Sequence, residues 1–219
     1  MRAFLIASGV WLSVALPAFA QRGGEQRGAS PGDFDFYVLA LSWSPGFCAL
    51  EGDRKGRAQC DSGSGAGFVL HGLWPQYERG FPTECGADRQ PTRIAMDAAR
   101  GVYPDAGLAR YEWRKHGTCS GLPPQGYFNA ARQAKESVRI PDRFRELNRD
   151  ARMDPREIER AFVAANPGLR ADMISVACQR GVLQEVRVCF DKSLKGFRSC
   201  PEVGQRDCRG GDIDVPAMR

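Results

Sequence analysis

The chain has 219 residues, 42% of them apolar and 26% charged, with 25 Gly, 14 Pro and 8 Cys. That is enough chain to bury a core. An aromatic content of 10% excludes wholesale disorder, and the lack of a heptad, collagen or longer repeat excludes fibres, solenoids and propellers. A net charge of +5 favours anionic partners without naming one, and only five of the 31 basic residues are Lys.

The first twenty residues have the layout of an export signal. Arg2 is the only charge before Arg22, an apolar run extends from Ala3 to Leu16, and Pro17 precedes the small-residue site Ala18-Phe19-Ala20. Cleavage is expected after Ala20. The competing reading is an uncleaved anchor, because residues 3–20 are just long enough to span a bilayer; Pro17 and the AxA site favour cleavage. No later segment is apolar enough to cross a membrane, so the mature protein is expected to be secreted or periplasmic, with no membrane association.

Residues 21–32 (QRGGEQRGASPG) read as a flexible leader. Phe34 to Trp43 (FDFYVLALSW) is apolar on both faces and rich in β-formers, as a central strand is. Residues 51–66 form a Gly/Ser/charged loop, and 67–71 a short strand running into HGLWPQ. Helical spacing occupies 92–101, 109–117 and 125–139. Asp154-Pro155-Arg156-Glu157 is a helix start, with Ile158, Ala161, Phe162 and Ala165 as its apolar stripe and Pro167-Gly168 as its stop. Residues 172–178 and 181–190 read as strands, the second with Val186, Val188 and Phe190 on one face and Glu185 and Arg187 on the other. Strands and helices do not alternate regularly, so an α+β fold is expected. No linker divides the chain, and 33–219 is read as one domain.

Export makes disulfides the default reading of an even number of cysteines. There is no CxxC pair and there are only two His, which argues against a structural zinc site. The cysteine spacing alone leaves the pairing open.

Those two histidines carry the chemistry. His71 lies in VLHGLWPQ and His116 in YEWRKHGTCS. Placed on a helix, Glu112, Lys115, His116 and Cys119 stand at i, i+3, i+4 and i+7 and share one face. The bland reading is an exposed Glu–His pair. Against it, each His is embedded in Gly and Trp, residues that permit close approach and offer a stacking surface. Imidazole also gives and takes protons near neutral pH. Two imidazoles and a nearby Lys are what cleavage of RNA through its own 2′-hydroxyl needs. One removes the 2′-OH proton, the other protonates the departing 5′-oxygen, and cations stabilise the charge on phosphorus.

The segments HGLWP at 71–75 and EWRKHGTC at 112–119 resemble the paired active-site motifs of the ribonuclease T2 family. FDFYVLALSWSPGFC at 34–48 is similar to that family's opening strand, and LQEVRVCFD at 183–191 to a late one. The resemblance implies an α+β fold with a central antiparallel sheet flanked by helices. It also implies an endoribonuclease that cleaves single-stranded RNA to 2′,3′-cyclic phosphates and then to 3′-phosphates.

By this resemblance His116 is the base toward the 2′-OH, His71 the acid to the 5′-oxygen, and Glu112 and Lys115 stabilise the pentacovalent phosphorus. Trp74 belongs to the base-binding surface, with packing beneath His71 as the alternative, and Gln76 stands where the family varies in base recognition. Tyr111 departs from the pattern: many members carry a third His there, so a neutral hydrogen bond to phosphate replaces a charge.

The implied disulfides are Cys48–Cys60, Cys85–Cys119, Cys178–Cys208 and Cys189–Cys200. No cofactor and no metal is expected, DNA is not a substrate, and the protein is read as a monomer. Two rival readings are weighed. A non-catalytic RNA- or protein-binding member of the same fold is expected to have lost a His or the Lys, and this chain retains both. A Ser/His esterase is expected to show a GxSxG elbow, which is absent.

Overall fold

The computed structural model describes residues 24–87, 90–204, 208 and 211–219, so the export-signal reading lies outside the described residues. Eight strands run in chain order: β1 Glu25–Arg27, β2 Phe36–Trp43, β3 Phe68–Gln76, β4 Phe81–Thr83, β5 Ala151–Met153, β6 Ile174–Gln179, β7 Val182–Asp191 and β8 Ile213–Val215. The α-helices are α1 Ser44–Phe47, α2 Arg93–Ala99, α3 Ala106–Lys115, α4 Pro124–Ser137, α5 Pro155–Ala165 and α6 Pro201–Gly204.

Strand β2 is central because both of its faces are apolar. It pairs antiparallel with β3 on one side and β7 on the other, and β6 continues the antiparallel sheet beyond β7. Strands β8 and β5 extend it, with β8 joined to β7 at Val182↔Asp214. Tyr37, Leu39, Leu41 and Trp43 of β2 face the main core, where they meet Phe128 of α4 and Ile158 and Phe162 of α5. Phe36 and Val38 face the opposite way and form a small second cluster with Cys189 and Cys200. The fold is therefore α+β, a mainly antiparallel sheet whose main core is covered by helices, with the short α6 contributing Val203 to the second cluster.

Helix ends follow local chemistry. The side chain of Asp105 accepts from the Leu108 amide at 2.8 Å and starts α3 earlier than the apolar spacing suggests. Asp154 does the same for α5, accepting from the Arg156 amide, with Pro155 in the first turn.

Residues 25–27, read from the sequence as part of a flexible leader, instead pair in parallel with Phe81–Thr83. The amide of Gly32 also donates to the Cys119 carbonyl at 2.9 Å. A second correction concerns the His116 segment. Helix α3 ends at Lys115, His116 is its C-cap, and Cys119 lies in a separate 3-10 turn, Gly117–Cys119. The chain tightens there because Gly117 packs against the rings of Trp113 and Tyr127, leaving no room for a Cβ. Cys119 therefore does not share the helix face of Glu112.

All four implied disulfides are present, and no cysteine is free among the described residues. The Cys85–Cys119 bond closes 34 residues and ties the segment after β4 to the turn that follows His116. The Glu84 amide reinforces it by donating to the Lys115 carbonyl at 2.8 Å. Replacing both cysteines by Ser is expected to lower unfolding free energy by about 4 kcal/mol on the loop-entropy account. Urea titration of the variant against the parent checks this, and an unchanged midpoint refutes it.

Candidate active site

Between β2 and the strand on its outer edge the register slips by one residue. Ala40 faces Gly72 and Leu41 faces Leu70, so His71 has no ladder partner. This bulge lets Leu70 and Leu73, three apart, both point into the main core while His71 turns to the other face. Trp74 lies on that face too. Its indole packs edge-on against His71 with ring centres 5.3 Å apart and lies 5.4 Å from the ring of His116.

Glu112, on α3, reaches across to this strand. Its Oε2 accepts from Trp74 Nε1 at 2.7 Å, and its Oε1 lies 3.6 Å from His71 Nε2. The approach is so close that a Cβ on Gly72 would collide with both Glu112 and Trp74, which explains the Gly of HGLWP. His71, Trp74, Gln76, Tyr111, Glu112, Lys115 and His116 all line one cleft of about 460 Å³. The Gln76 amide donates to the Pro75 carbonyl, and Tyr111 is exposed at the rim with the Lys115 ammonium 5.7 Å from its ring centre.

The cleft also holds a charged pair from one strand that sequence did not single out as site residues. Glu185 and Arg187, from β7, line it as well. A carboxylate oxygen of Glu185 bonds His71 Nδ1, and the other accepts from Arg187 Nε at 2.9 Å and Nη2 at 2.7 Å. Their signal was the polar face of an otherwise apolar strand, which also describes an ordinary half-buried strand.

The electrostatics separate the two imidazoles. Burial works against a charged His71, but the hydrogen bond and charge of Glu185, helped by Glu112, outweigh it and raise its pKa. Burial pushes His116 the other way, down to about 3, with the Lys115 ammonium and His71 adding to the effect. Its Nδ1 is buried with no hydrogen-bond partner in the protein. Burial raises Glu112 to about 7 even though His71 and the Trp74 hydrogen bond oppose it. The surroundings thus push the two imidazoles apart, His71 toward the imidazolium and His116 toward the free base, beside a carboxyl group raised to about 7.

Among the described residues, one group of potential metal ligands stands outside this cleft: Cys48, Asp53 and Cys60. Both cysteines are joined in a disulfide and cannot act as thiolate ligands.

The ribonuclease T2 family matches residues 34–200, and the chain belongs to that family. A ribonuclease of Aeromonas hydrophila is 38% identical over 210 residues, covering 94% of this chain and 92% of its own length. Ribonuclease I of Escherichia coli is 28% identical, covering 68% of this chain and 71% of its own. Among solved structures, an RNase-related protein from Calystegia sepium superposes with a TM-score of 0.65 at 23% identity, covering 85% of this chain and 98% of its own. RNase NT in complex with 5′-AMP gives 0.59 at 22% identity, covering 84% and 99%. These structural likenesses agree with the fold described above.

Proposed function

We propose that this endoribonuclease cleaves single-stranded RNA by transesterification, with the neutral imidazole of His116 as base and the imidazolium of His71 as acid. The observation that carries the assignment is the opposite poise of the two rings in one cleft. Two titrating groups pushed apart by their surroundings divide into acid and base.

In the first step His116 takes the 2′-OH proton, the 2′-oxygen attacks phosphorus, and the 5′-oxygen leaves with a proton from His71. A substrate phosphate brings negative charge beside His116 and raises its proton affinity from the depressed value, so it accepts the proton more readily in the complex. In the second step the roles reverse, and water opens the 2′,3′-cyclic phosphate to a 3′-phosphate. Lys115 stabilises the charge that builds on the phosphoryl oxygens. Glu112, when protonated, can donate to one of those oxygens through Oε1, which has no hydrogen-bond partner within the protein. Gln76 and the Trp74 ring supply part of the surface for a base. Residues 33–219 act as one catalytic domain, a monomer delivered outside the cytoplasm. Four disulfides support that placement.

The nucleophile belongs to the substrate, so cleavage of single-stranded RNA is expected to persist in EDTA, to pass through 2′,3′-cyclic phosphates, and to leave DNA intact. Incubation with RNA and DNA, with and without chelator, followed by product analysis, checks all three points. Equal degradation of DNA, or loss of activity in EDTA, overturns the mechanism.

A further inference from the structure

On the Nδ1 side of His71 stands a charged pair that the proton transfers above do not use. Glu185 is 7% exposed, yet both of its carboxylate oxygens are engaged: one on His71 Nδ1, the other in a two-pronged contact with Arg187. We propose that Glu185, clamped by Arg187, is a positioning residue that holds His71 in its protonated form with Nε2 turned to the phosphate. This rests on the reading of His71 as the acid.

Three observations support it. The first is backbone placement. Glu185 pairs with Ser42 and Arg187 with Ala40, small residues on the central strand that leave space above them for His71 to lean across. Gln184, beside Glu185, is itself an extra residue, because Ala177 faces Glu185 while Cys178 faces Leu183. One irregularity therefore lies on each side of the central strand, at His71 and next to Glu185.

The second is chemistry. A carboxylate on Nδ1 fixes which ring nitrogen is left for catalysis and stabilises the imidazolium. The two Arg187 bonds fix the orientation of Glu185, which is held well below the usual carboxylate range because His71 and then Arg187 outweigh the cost of its burial. The third is packing. The Arg187 guanidinium lies 5.4 Å from the centre of the Trp74 ring, and that indole donates to Glu112, so the clamp is braced against the other half of the site.

The charged and titratable groups facing His71 are Glu185 and Arg187 from β7, and Glu112 and His116 from α3 and its cap. Replacing Glu185 by Gln keeps an oxygen that can accept from Nδ1 but removes the charge. His71 should then lose its proton at lower pH. Arg187→Met keeps the Glu185 charge and removes a cation that depresses His71, so the effect should have the opposite sign.

The chain has only two His, so their ring C–H signals can be followed by NMR and assigned with His116→Ala. The expected result is that His71 titrates lower in Glu185→Gln and higher in Arg187→Met. The alkaline limb of kcat/KM should move with it, so that the rate at a fixed alkaline pH changes roughly tenfold for each pH unit the limb moves. A uniform loss of activity across pH, with the His71 titration unmoved, overturns the proposal and leaves Glu185 a merely structural residue. A moved titration with an unmoved alkaline limb overturns instead the acid role of His71, on which the proposal rests.

Discussion

Substituting either His71 or His116 by Ala is expected to reduce cleavage of a dinucleoside phosphate by a factor on the order of 10²–10⁴. The two variants should fail differently. His116→Ala removes the base, and a small amine in the buffer should partly restore the first step. His71→Ala removes the acid and should be relieved on substrates whose 5′ leaving group is itself acidic, because such a group departs without a proton. Rates on a dinucleotide and on an aryl-phosphate ester, measured for both variants, check the assignment. If His116→Ala is the variant relieved by a good leaving group, the acid and base roles are the reverse of those proposed.

Lys115 carries the next largest effect. Replacing it by Met keeps the aliphatic stem and removes the ammonium, and the expected loss in kcat is roughly a hundredfold or more, as for removal of a preorganised transition-state donor. The neighbouring Tyr111→Phe should cost only about 1 kcal/mol, or roughly fivefold, because the ring beneath the Lys115 ammonium is retained and only a neutral hydrogen bond is lost. Steady-state kinetics on both variants tests the contrast. A Tyr111→Phe defect as deep as that of Lys115→Met would make Tyr111 a catalytic group.

Much of this architecture was legible because the signals are local. The doubly apolar run at 34–43 reads as a central strand and holds one at Phe36–Trp43, and the alternation of Val186, Val188 and Phe190 with Glu185 and Arg187 placed their faces correctly. Short strands such as 25–27 and 81–83 were not legible. At three residues they carry no period, and they exist because tertiary contacts bring them together. Helical spacing over 109–117 overruns the end of α3 at Lys115 by two residues and wrongly puts Cys119 on the helix face, because the tightening at Gly117 depends on the Trp113 and Tyr127 rings around it.

The site was legible to the extent that it lay in two motifs. Glu185 escaped notice because a buried acid bonded to an imidazole and an outward-facing acid on a half-buried strand read the same in sequence. What separates them is the pairing of a late strand with an early one, more than a hundred residues apart along the chain.

The slip in register at His71 means that the scaffold and the chemistry part company at a single residue. Leu70, Gly72 and Leu73 without His71 would face Leu41, Ala40 and Leu39 in unbroken alternation, with both leucines still inward. The ladder itself therefore does not need His71: it is an insertion between two rungs, held in place by its ring's bond to the buried Glu185. Excision would mend the strand and substitution would leave the kink with nothing to present, but either leaves Glu185 with Arg187 alone.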